Sequence, residues 1–277
     1  MALVSDLLRR GDALPGDSPR RDAEVLLGFC LRKPRSWLYA WPEAAVPGDI
    51  EAQFKELLNQ RRAGVPVAYL VGRREFWSLS LSVTTDTLIP RPETEMLVTW
   101  SLELGLPAEA CAVDLGTGSG AIALALATER PCWHICAVDE SDTALTVARR
   151  NAERLELPAI EFLSGDWFGA VGKRRFNLIV ANPPYIDPGD PHLEVGDLRY
   201  EPGSALVSDQ GGLADLSQLA SEAPGYLHSG GWALFEHGCK QGADVRRMLV
   251  TAGFKKVQTR TDLAGLERVT GGCWRAQ

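Results

Sequence analysis

The stretch Asp114-Leu115-Gly116-Thr117-Gly118-Ser119-Gly120 decides the fold. It follows a short apolar run, Ala110 to Asp114, and precedes another, Ala121 to Ala127, which we predict to be a strand and a helix. Glycines at such a junction let the backbone turn tightly and come close to a ligand at the helix N-terminus. The stretch therefore predicts a ligand-binding loop in a doubly wound α/β sheet.

Strands and helices alternate through the rest of the chain, which is typical of a mainly parallel sheet with helices on both faces. Further strands are predicted at Trp133 to Asp139, Ile160 to Leu163, Phe176 to Ala181, Trp232 to Glu236, Lys256 to Arg260 and Glu267 to Thr270. Further helices are predicted at Ala144 to Leu155 and Val245 to Ala252.

An acidic residue, Asp139, ends the second predicted strand, 23 residues after Gly116. A carboxylate at this position can accept hydrogen bonds from a ribose diol, so the pattern predicts a cofactor that carries a nucleoside. The spacing of Gly116, Gly118 and Ala121 also fits a dinucleotide-binding loop. A nicotinamide-dependent oxidoreductase therefore stays open on the glycines alone.

The tetrapeptide Asn182-Pro183-Pro184-Tyr185 follows the predicted strand Phe176 to Ala181, so it should face the same crevice as the glycine loop. The Asn182 side-chain oxygen and the Pro183 carbonyl can accept the two N–H groups of a planar NH2, which aims its nitrogen at an electrophile. Pro184 has no N–H and stiffens the loop, and Tyr185 can stack on a flat substrate. A rigid turn with a core aromatic residue is the alternative interpretation.

The first part of the chain differs from the rest. Helical patterns fill residues 1–73, with Ser18-Pro19 as an N-cap and first helical residue, and with Trp37 and Trp41 expected to pack between helices. Residues 74–88 alternate with a period of two and predict a β-hairpin linker, and residues 89–277 form the α/β domain.

The charge distribution and the cysteines limit the classes of function that the sequence supports. The net charge is −7, divided into +2 over residues 1–80 and −9 over the remainder, which disfavours a surface built to grip nucleic acid. Cys132, His134 and Cys136 could share one strand face and hold a metal, but we favour small thiols filling a buried strand and predict no metal. No signal-peptide pattern or long apolar run is present, so we expect a cytoplasmic protein.

Several segments together resemble the bacterial release-factor glutamine N5-methyltransferases of the HemK/PrmC family, which are class I enzymes dependent on S-adenosylmethionine. The glycine loop resembles the E/DxGxGxG motif of that class, and NPPY resembles the motif of amino-methyltransferases. The other segments that carry the resemblance are Ser18 to Glu24, Arg74 to Trp77, Leu88 to Glu95, Asp166 to Phe168, Asn182 to Ile186 and Arg199 to Pro202.

The resemblance implies a Rossmann-like methyltransferase domain after a small helical substrate-binding domain and a hairpin. It implies methyl transfer from S-adenosylmethionine to the glutamine of the GGQ motif in class 1 peptide chain release factors. From the charge and the short apolar runs we also expect no binding of nucleic acid or membrane, and nothing in the sequence demands more than a monomer. The resemblance assigns the cofactor to Gly116, Thr117, Gly118, Ser119, Gly120, Asp139, Asp166, Trp167 and Asn182. It assigns the substrate to Asn182, Pro183, Pro184 and Tyr185, of which Asn182 and Tyr185 are catalytic.

Three alternatives stand beside this family. A nicotinamide-dependent oxidoreductase would leave the NPPY segment without a role. The same chemistry on a DNA or RNA base would want a basic groove, and a catalytically silent binding module would not need Asn182. Arg91 and Glu93 are expected to border the substrate channel, without an assigned role.

Overall fold

The computed structural model describes residues 2–16, 18–157 and 159–275. The chain divides into two compact units. The first comprises Met1–Arg73 and Pro191–Tyr200, and the second comprises Arg74–Asp190 and Glu201–Gln277.

The helices of the described residues are α1 (Val4–Arg9), α2 (Pro19–Leu31), α3 (Arg35–Ala40), α4 (Gly48–Arg62), α5 (Val67–Val71), α6 (Glu95–Glu103), α7 (Ala121–Glu129), α8 (Asp142–Arg154), α9 (Asp209–Gly212), α10 (Ala214–Glu222) and α11 (Gly242–Thr251). The strands are β1 (Arg73–Phe76), β2 (Leu79–Ser82), β3 (Cys111–Leu115), β4 (His134–Asp139), β5 (Glu161–Ser164), β6 (Phe176–Ala181), β7 (Leu227–Glu236), β8 (Lys255–Thr261) and β9 (Glu267–Cys273). Short 3₁₀ turns lie between several of them, including Pro92–Thr94 and Trp167–Val171.

The first unit is helical, as predicted, and has a core of its own built largely from α1, α2 and α4. Ser18 is the N-cap residue of α2 and Pro19 is its first helical residue, as predicted, although the Ser18 side chain makes no capping hydrogen bond. The expectation that Trp41 packs between helices was wrong. Trp41 is 59% exposed, because it follows the end of α3 instead of lying on the buried helix face that carries Leu38.

A ten-residue segment from the second half of the chain, Pro191–Tyr200, clusters with the helical unit. Arg61 of α4 donates through Nη1 to Asp197 at 2.6 Å and through Nε to Asp22 at 2.8 Å. The Tyr200 hydroxyl donates to the Ala63 carbonyl oxygen at 2.7 Å. The helical unit is therefore completed by residues distant in sequence, and the division into residues 1–73, 74–88 and 89–277 stays a prediction.

Strands β1 and β2 form a two-stranded sheet. Trp77 and Ser78 both have positive φ, 51° and 60°, as a type I′ hairpin turn requires. The Trp77 backbone N–H donates to Glu95 of α6 at 2.8 Å, and its indole Nε1 donates to Glu129 of α7 at 2.8 Å. The hairpin is thereby held to the helices of the second unit.

The second unit contains a seven-stranded sheet in the order β5-β4-β3-β6-β7-β9-β8. Strands β5, β4, β3, β6 and β7 are parallel, and β9 pairs antiparallel with both β7 and β8. The predicted α/β class with a mainly parallel sheet is confirmed. Chain progression reverses between β3 and β6, so the carboxyl ends of these two strands flank the crevice in which doubly wound folds bind ligands.

Element bounds differ from the predicted ones mainly where a backbone partner decides them. Strand β7 begins at Leu227, five residues before the predicted start, because Leu227 pairs with Phe176 of β6 and because Gly230 and Gly231 exchange backbone hydrogen bonds with Trp274. Helix α8 begins at Asp142 because the Ser141 hydroxyl caps the Ala144 N–H at 3.2 Å. Two apolar clusters, one on each side of the sheet, hold this unit together.

Candidate active site

A cavity of about 300 Å³ opens in the second unit where four neighbouring parallel strands end. Its size is at the small end of the range of ligand pockets, ~300–1,000 Å³. Seven residues that the sequence predicted for the site line its wall: Gly116, Gly118, Asp139, Asp166, Trp167, Asn182 and Pro184. Five others, Thr117, Ser119, Gly120, Pro183 and Tyr185, are not among its lining residues in the described chain.

The three loop glycines have different structural roles. All have positive φ, which is 74° for Gly116, 56° for Gly118 and 85° for Gly120. A Cβ on Gly120 would lie 2.9 Å from Leu124, and a Cβ on Gly116 would lie 3.2 Å from the Trp167 ring. A Cβ on Gly118 would meet nothing within 4 Å. Gly120 therefore serves packing, whereas Gly118 leaves its backbone open to a ligand.

Asp114 lies at the end of β3 and is 1% exposed. Its Oδ2 accepts from the Thr117 hydroxyl at 2.6 Å and from the Ala123 N–H at 3.2 Å, while its Oδ1 is buried without a partner. Burial raises the pKa of this carboxyl group to about 7. The Asp114 carboxyl group therefore holds Thr117 and the start of α7 in place behind the glycine loop.

Asp139 ends β4 on the cavity wall. Its Oδ2 accepts from the Gly118 N–H at 2.8 Å and its Oδ1 from the Ser141 N–H at 2.9 Å, while burial raises its pKa. Each carboxylate oxygen can accept a second hydrogen bond, so Asp139 can still bind a diol. One side chain thus fixes the glycine loop and offers acceptors to a ligand.

Trp167 follows Asp166 at the start of a 3₁₀ turn and has φ +39°, in the left-handed region that bulky residues rarely adopt. Such conformations persist only where surrounding structure holds them, and they cluster at ligand sites. The Trp167 ring lies against Gly116, and the half-buried tryptophan and the exposed Asp166 together form one side of the cavity.

The NPPY segment follows β6 directly. Asn182 and Pro184 line the cavity, and the Asn182 Nδ2 donates to the Thr94 hydroxyl at 3.2 Å. Pro183 is buried, and the Tyr185 hydroxyl donates to Glu236 Oε1 at 3.2 Å. In this conformation Tyr185 fixes the loop, and the stacking of its ring on a flat substrate stays a prediction.

Comparisons with known proteins decide the family. The family model described as "PrmC N-terminal domain" matches residues 6–72. The family model described as "Methyltransferase small domain" matches residues 94–214. A release factor glutamine methyltransferase from Pseudomonas aeruginosa is 48% identical over 99% of each chain, and one from Yersinia pestis is 52% identical over 93% of each. The chain belongs to the release factor glutamine methyltransferase family. A methyltransferase structure from Pyrococcus furiosus has a TM-score of 0.56 at 17% identity, over 80% of this chain and 98% of that one. The expected Rossmann-like methyltransferase fold is confirmed.

Two residues that sequence patterns did not single out contact the NPPY segment, because Thr94 contacts Asn182 and Glu236 contacts Tyr185. Thr94 ends the short turn before α6 and Glu236 ends β7, and both are buried. One signal was available for Glu236, because an acidic residue at the end of a parallel strand next to β6 lies at the ligand edge of the sheet. Thr94 carries no such local signal, since its importance comes from its contact with Asn182.

Arg91 of the methyltransferase has a partner that the sequence did not reveal. Its guanidinium pairs with Glu201, whose side chain is fully buried, and Glu201 Oε2 also accepts from the Ile89 N–H at 3.0 Å. The segment before Thr94 is thereby anchored at two points. The expected position of Arg91 and Glu93 at the border of a substrate channel stays a prediction.

Two further features concern metal binding and membrane insertion. Cys136 is buried in β4, but Cys132 and His134 are exposed, and no group of three potential metal ligands comes together in the described part of the methyltransferase. None of the helices described in the structure has the length and apolar character needed to cross a membrane.

Proposed function

We propose that this methyltransferase transfers the methyl group of S-adenosylmethionine to the side-chain amide nitrogen (N5) of the glutamine in the GGQ motif of class 1 peptide chain release factors. The names of its relatives support this substrate class. The observation that carries the proposal is Asn182 on the cavity wall, with its NH2 engaged by Thr94. Its Oδ1 is thereby left as an acceptor for a planar amide.

Asn182 and Pro183 would contribute to catalysis by positioning the substrate amide. An amide nitrogen is a poor nucleophile, because its lone pair is delocalised onto the carbonyl group. S-Adenosylmethionine supplies a methyl group that its sulfonium has already activated. Asn182 Oδ1 and the Pro183 carbonyl would accept hydrogen bonds from the two N–H groups of the substrate amide. These bonds aim the amide nitrogen at the methyl carbon and stabilise the positive charge on that nitrogen as the N–C bond forms. The S–CH3 bond would break with its electron pair left on sulfur, and the substrate nitrogen would release a proton to water, which gives N5-methylglutamine and S-adenosylhomocysteine.

We assign the cofactor to the wall that carries Gly116, Gly118 and Asp139. The open side of Gly118 admits the amino-acid part, Asp139 accepts from the ribose diol, and Asp166 and Trp167 flank the adenine. Thr117, Ser119 and Gly120 support this wall from behind: the Thr117 hydroxyl holds Asp114, and the Ser119 carbonyl accepts from Asn151 at 2.9 Å.

Replacing Asp139 with asparagine is expected to weaken S-adenosylmethionine binding by about tenfold to a hundredfold, the cost of ~1.5–3 kcal/mol for hydrogen bonds to a charged group. The neutral amide accepts less strongly and its NH2 opposes the Gly118 or Ser141 N–H. Calorimetric titration measures the affinity. Asp142→Asn, an exposed acid in the first turn of α8, is the matched control and should bind as the wild type does. Equal affinities for the two variants would remove Asp139 from the cofactor site.

The substrate assignment is tested with labelled S-adenosylmethionine in three separate incubations. One contains a release factor, one contains its Gln→Ala variant in the GGQ loop, and one contains duplex DNA. Label should enter the first protein only. Label on DNA but not on the release factor would overturn the proposal in favour of a nucleic-acid methyltransferase, and equal label on the two proteins would overturn the assigned glutamine.

We further propose that the enzyme acts as a monomer in the cytoplasm and binds no nucleic acid itself. The net charge of −7 supports a protein substrate over a nucleic acid, whose phosphates it would repel. In this proposal residues 1–73 hold the release factor, residues 74–88 form the linker and residues 89–277 carry out catalysis.

A further inference from the structure

His237 is a buried imidazole that the proposed chemistry does not use. It follows β7 directly and is 0% exposed, so both of its ring nitrogens depend on partners within the protein. Its Nδ1 lies 2.9 Å from the Gly238 carbonyl oxygen, and its Nε2 lies 2.8 Å from the Thr270 hydroxyl oxygen. These two partners determine which nitrogen carries the proton.

The Gly238 carbonyl group determines the tautomer of His237. A backbone carbonyl oxygen can only accept, so Nδ1 carries the proton in this contact. In a neutral imidazole the other nitrogen is an acceptor, and Nε2 then accepts from the Thr270 hydroxyl. Burial lowers the pKa of His237, which also favours the neutral ring.

The far end of this hydrogen-bond network requires the same direction. Thr270 Oγ1 lies 2.7 Å from Thr259 Oγ1, and Arg246 Nη1 donates to Thr259 Oγ1 at 2.6 Å. A guanidinium group can only donate and each hydroxyl group has one proton, so Thr259 donates to Thr270 and Thr270 donates to the imidazole. A protonated ring would place an N–H at Nε2 against the Thr270 proton.

The Gly238 peptide connects His237 to Gln241. Its N–H donates to Gln241 Oε1 at 2.8 Å, and its carbonyl oxygen accepts from the Gln241 N–H at 2.9 Å. A Cβ built on Gly238 would lie 3.0 Å from Gln241 Oε1, so the glycine lets the Gln241 side chain fold back onto the turn. The amide oxygen of Gln241 is thereby engaged, and its NH2 is left to donate elsewhere.

The NH2 of Gln241 contacts the backbone of the NPPY segment. Nε2 donates to the Tyr185 carbonyl oxygen at 3.0 Å and to the Gly212 carbonyl oxygen at 3.2 Å. Tyr185 is the last residue of NPPY, and Pro184 before it lines the cavity. Since the two prolines fix the backbone φ between Asn182 and Tyr185, a displacement of the Tyr185 carbonyl group is transmitted to Asn182.

We propose that Gln241 and His237 are positioning residues for methyl transfer, because Gln241 holds the Tyr185 carbonyl group and neutral His237 fixes the turn that orients Gln241. This inference rests on the proposed function for its substrate. It adds to that function two residues after β7, neither of which is among the lining residues of the cavity in the described chain.

Gln241→Met and Gln241→Glu test the contact with the NPPY backbone. Methionine keeps the length of the side chain without its amide, and an ionised glutamate can accept from Gly238 but cannot donate to Tyr185. Both variants should lower kcat by about tenfold or more, the scale of a small displacement of reacting groups. Affinity for S-adenosylmethionine should stay within about twofold of the wild-type value, because binding and turnover are separable.

The matched controls are Gln258→Met and Gln258→Glu, at an exposed position of β8, and both should turn over as the wild type does. A Gln241→Met or Gln241→Glu variant with wild-type kcat would overturn the proposal. Loss of cofactor binding in step with turnover would also overturn it, since a positioning role for the substrate leaves the cofactor wall intact.

His237→Phe tests whether the imidazole acts through Gln241. Phenylalanine fills the space of the ring but has no donor for the Gly238 carbonyl group, so kcat should again fall by about tenfold. If the two residues act in one chain, the double variant with Gln241→Met should lose no more than about twofold beyond the worse single variant. Losses that multiply would overturn the proposal. His228→Phe, at an exposed position of β7, is the matched control.

A spectroscopic readout requires neither a release factor nor a stable His237 variant. The ring ¹⁵N signals of His237 in the wild type, assigned through its backbone, should show a protonated Nδ1 and an unprotonated Nε2. The side-chain NH2 signals of Gln241, identified by their loss in Gln241→Met, should exchange slowly with solvent. A proton on Nε2, or rapid exchange of the Gln241 NH2, would overturn the proposal.

The same readout separates this inference from the substrate assignment. If the wild type does not methylate a release factor yet shows the expected tautomer and slow exchange, the proposed function fails and the network that holds the NPPY backbone stands. If the release factor is methylated but Gln241→Met has wild-type kcat, the inference fails alone.

Discussion

Replacing Asn182 with alanine is expected to lower kcat for methyl transfer by about a hundredfold to a thousandfold, the range seen when one preorganised polar group is removed from a developing charge. In the proposed mechanism the Oδ1 atom is the side-chain acceptor for the substrate amide, and a methyl group cannot replace it. The cofactor wall contains Gly116, Gly118 and Asp139, none of which Asn182 hydrogen-bonds. Affinity for S-adenosylmethionine should therefore stay within about threefold of the wild-type value, because binding and turnover are separable.

Single-turnover assays with a release factor and calorimetric titration of the cofactor measure the two quantities. Asn59→Ala, an exposed residue near the end of α4, makes the same chemical change away from the site and should behave as the wild type. Turnover near the wild-type rate in Asn182→Ala would show that the amide clamp is wrong. Loss of cofactor binding together with turnover would move Asn182 from the substrate to the cofactor.

The cofactor side of the site could be predicted from the sequence because it is locally encoded. Gly116, Gly118 and Asp139 each stand at the end of a strand whose apolar pattern is plain, and parallel strands bring their carboxyl ends to one edge. The positive φ of the glycines and the open side of Gly118 follow from the same short segment. Nothing distant in the chain is needed to place these three residues together.

The support behind the site could not be predicted in this way. Thr94 contacts Asn182 and Glu236 contacts Tyr185, and both contacts join residues that are far apart in sequence. Arg91 was noticed for its charge, but its partner Glu201 is distant as well, and only the fold shows the pair. Polar residues that act through other residues leave no periodic pattern, so tertiary contacts alone identify them.

The helical unit shows a second limit of local patterns. Helical spacing predicted its apolar core, but Trp41 is exposed although its size and hydrophobicity favour burial. Arg61 lies in the last turn of α4 and is buried between Asp22 and Asp197. Its role depends on a segment that reaches the unit from more than a hundred residues away along the chain.

The loop that carries the site also depends on a glycine that no motif contains. Gly212 has φ +79°, and a Cβ built on it would overlap the carbonyl oxygen of Tyr185 and lie 2.7 Å from the carbonyl carbon. Gln241 Nε2 donates to that carbonyl at 3.0 Å and to the Gly212 carbonyl at 3.2 Å. The backbone after NPPY is therefore fixed by close packing against Gly212 and by the Gln241 amide.

Gly212→Ala is expected to lower the free energy of unfolding by about 2–4 kcal/mol, from left-handed backbone strain added to overpacking. Because the added methyl group must displace the Tyr185 carbonyl, kcat should also fall by about tenfold or more. Gly211→Ala is the matched control, since Gly211 has φ +73° but its Cβ would meet no atom closer than 4.0 Å.

Urea unfolding and the methylation assay are run on both variants. Together they separate the effect of backbone strain from the effect of the contact with Tyr185. The control carries the backbone strain alone, so it should lose only about 1–2 kcal/mol of stability and keep its kcat. If Gly212→Ala and Gly211→Ala lose the same stability and turn over at the same rate, then close packing against Tyr185 does not hold the NPPY loop. The Gln241 amide would then be left as the contact that fixes it, and Gln241→Ala should produce the loss of turnover instead.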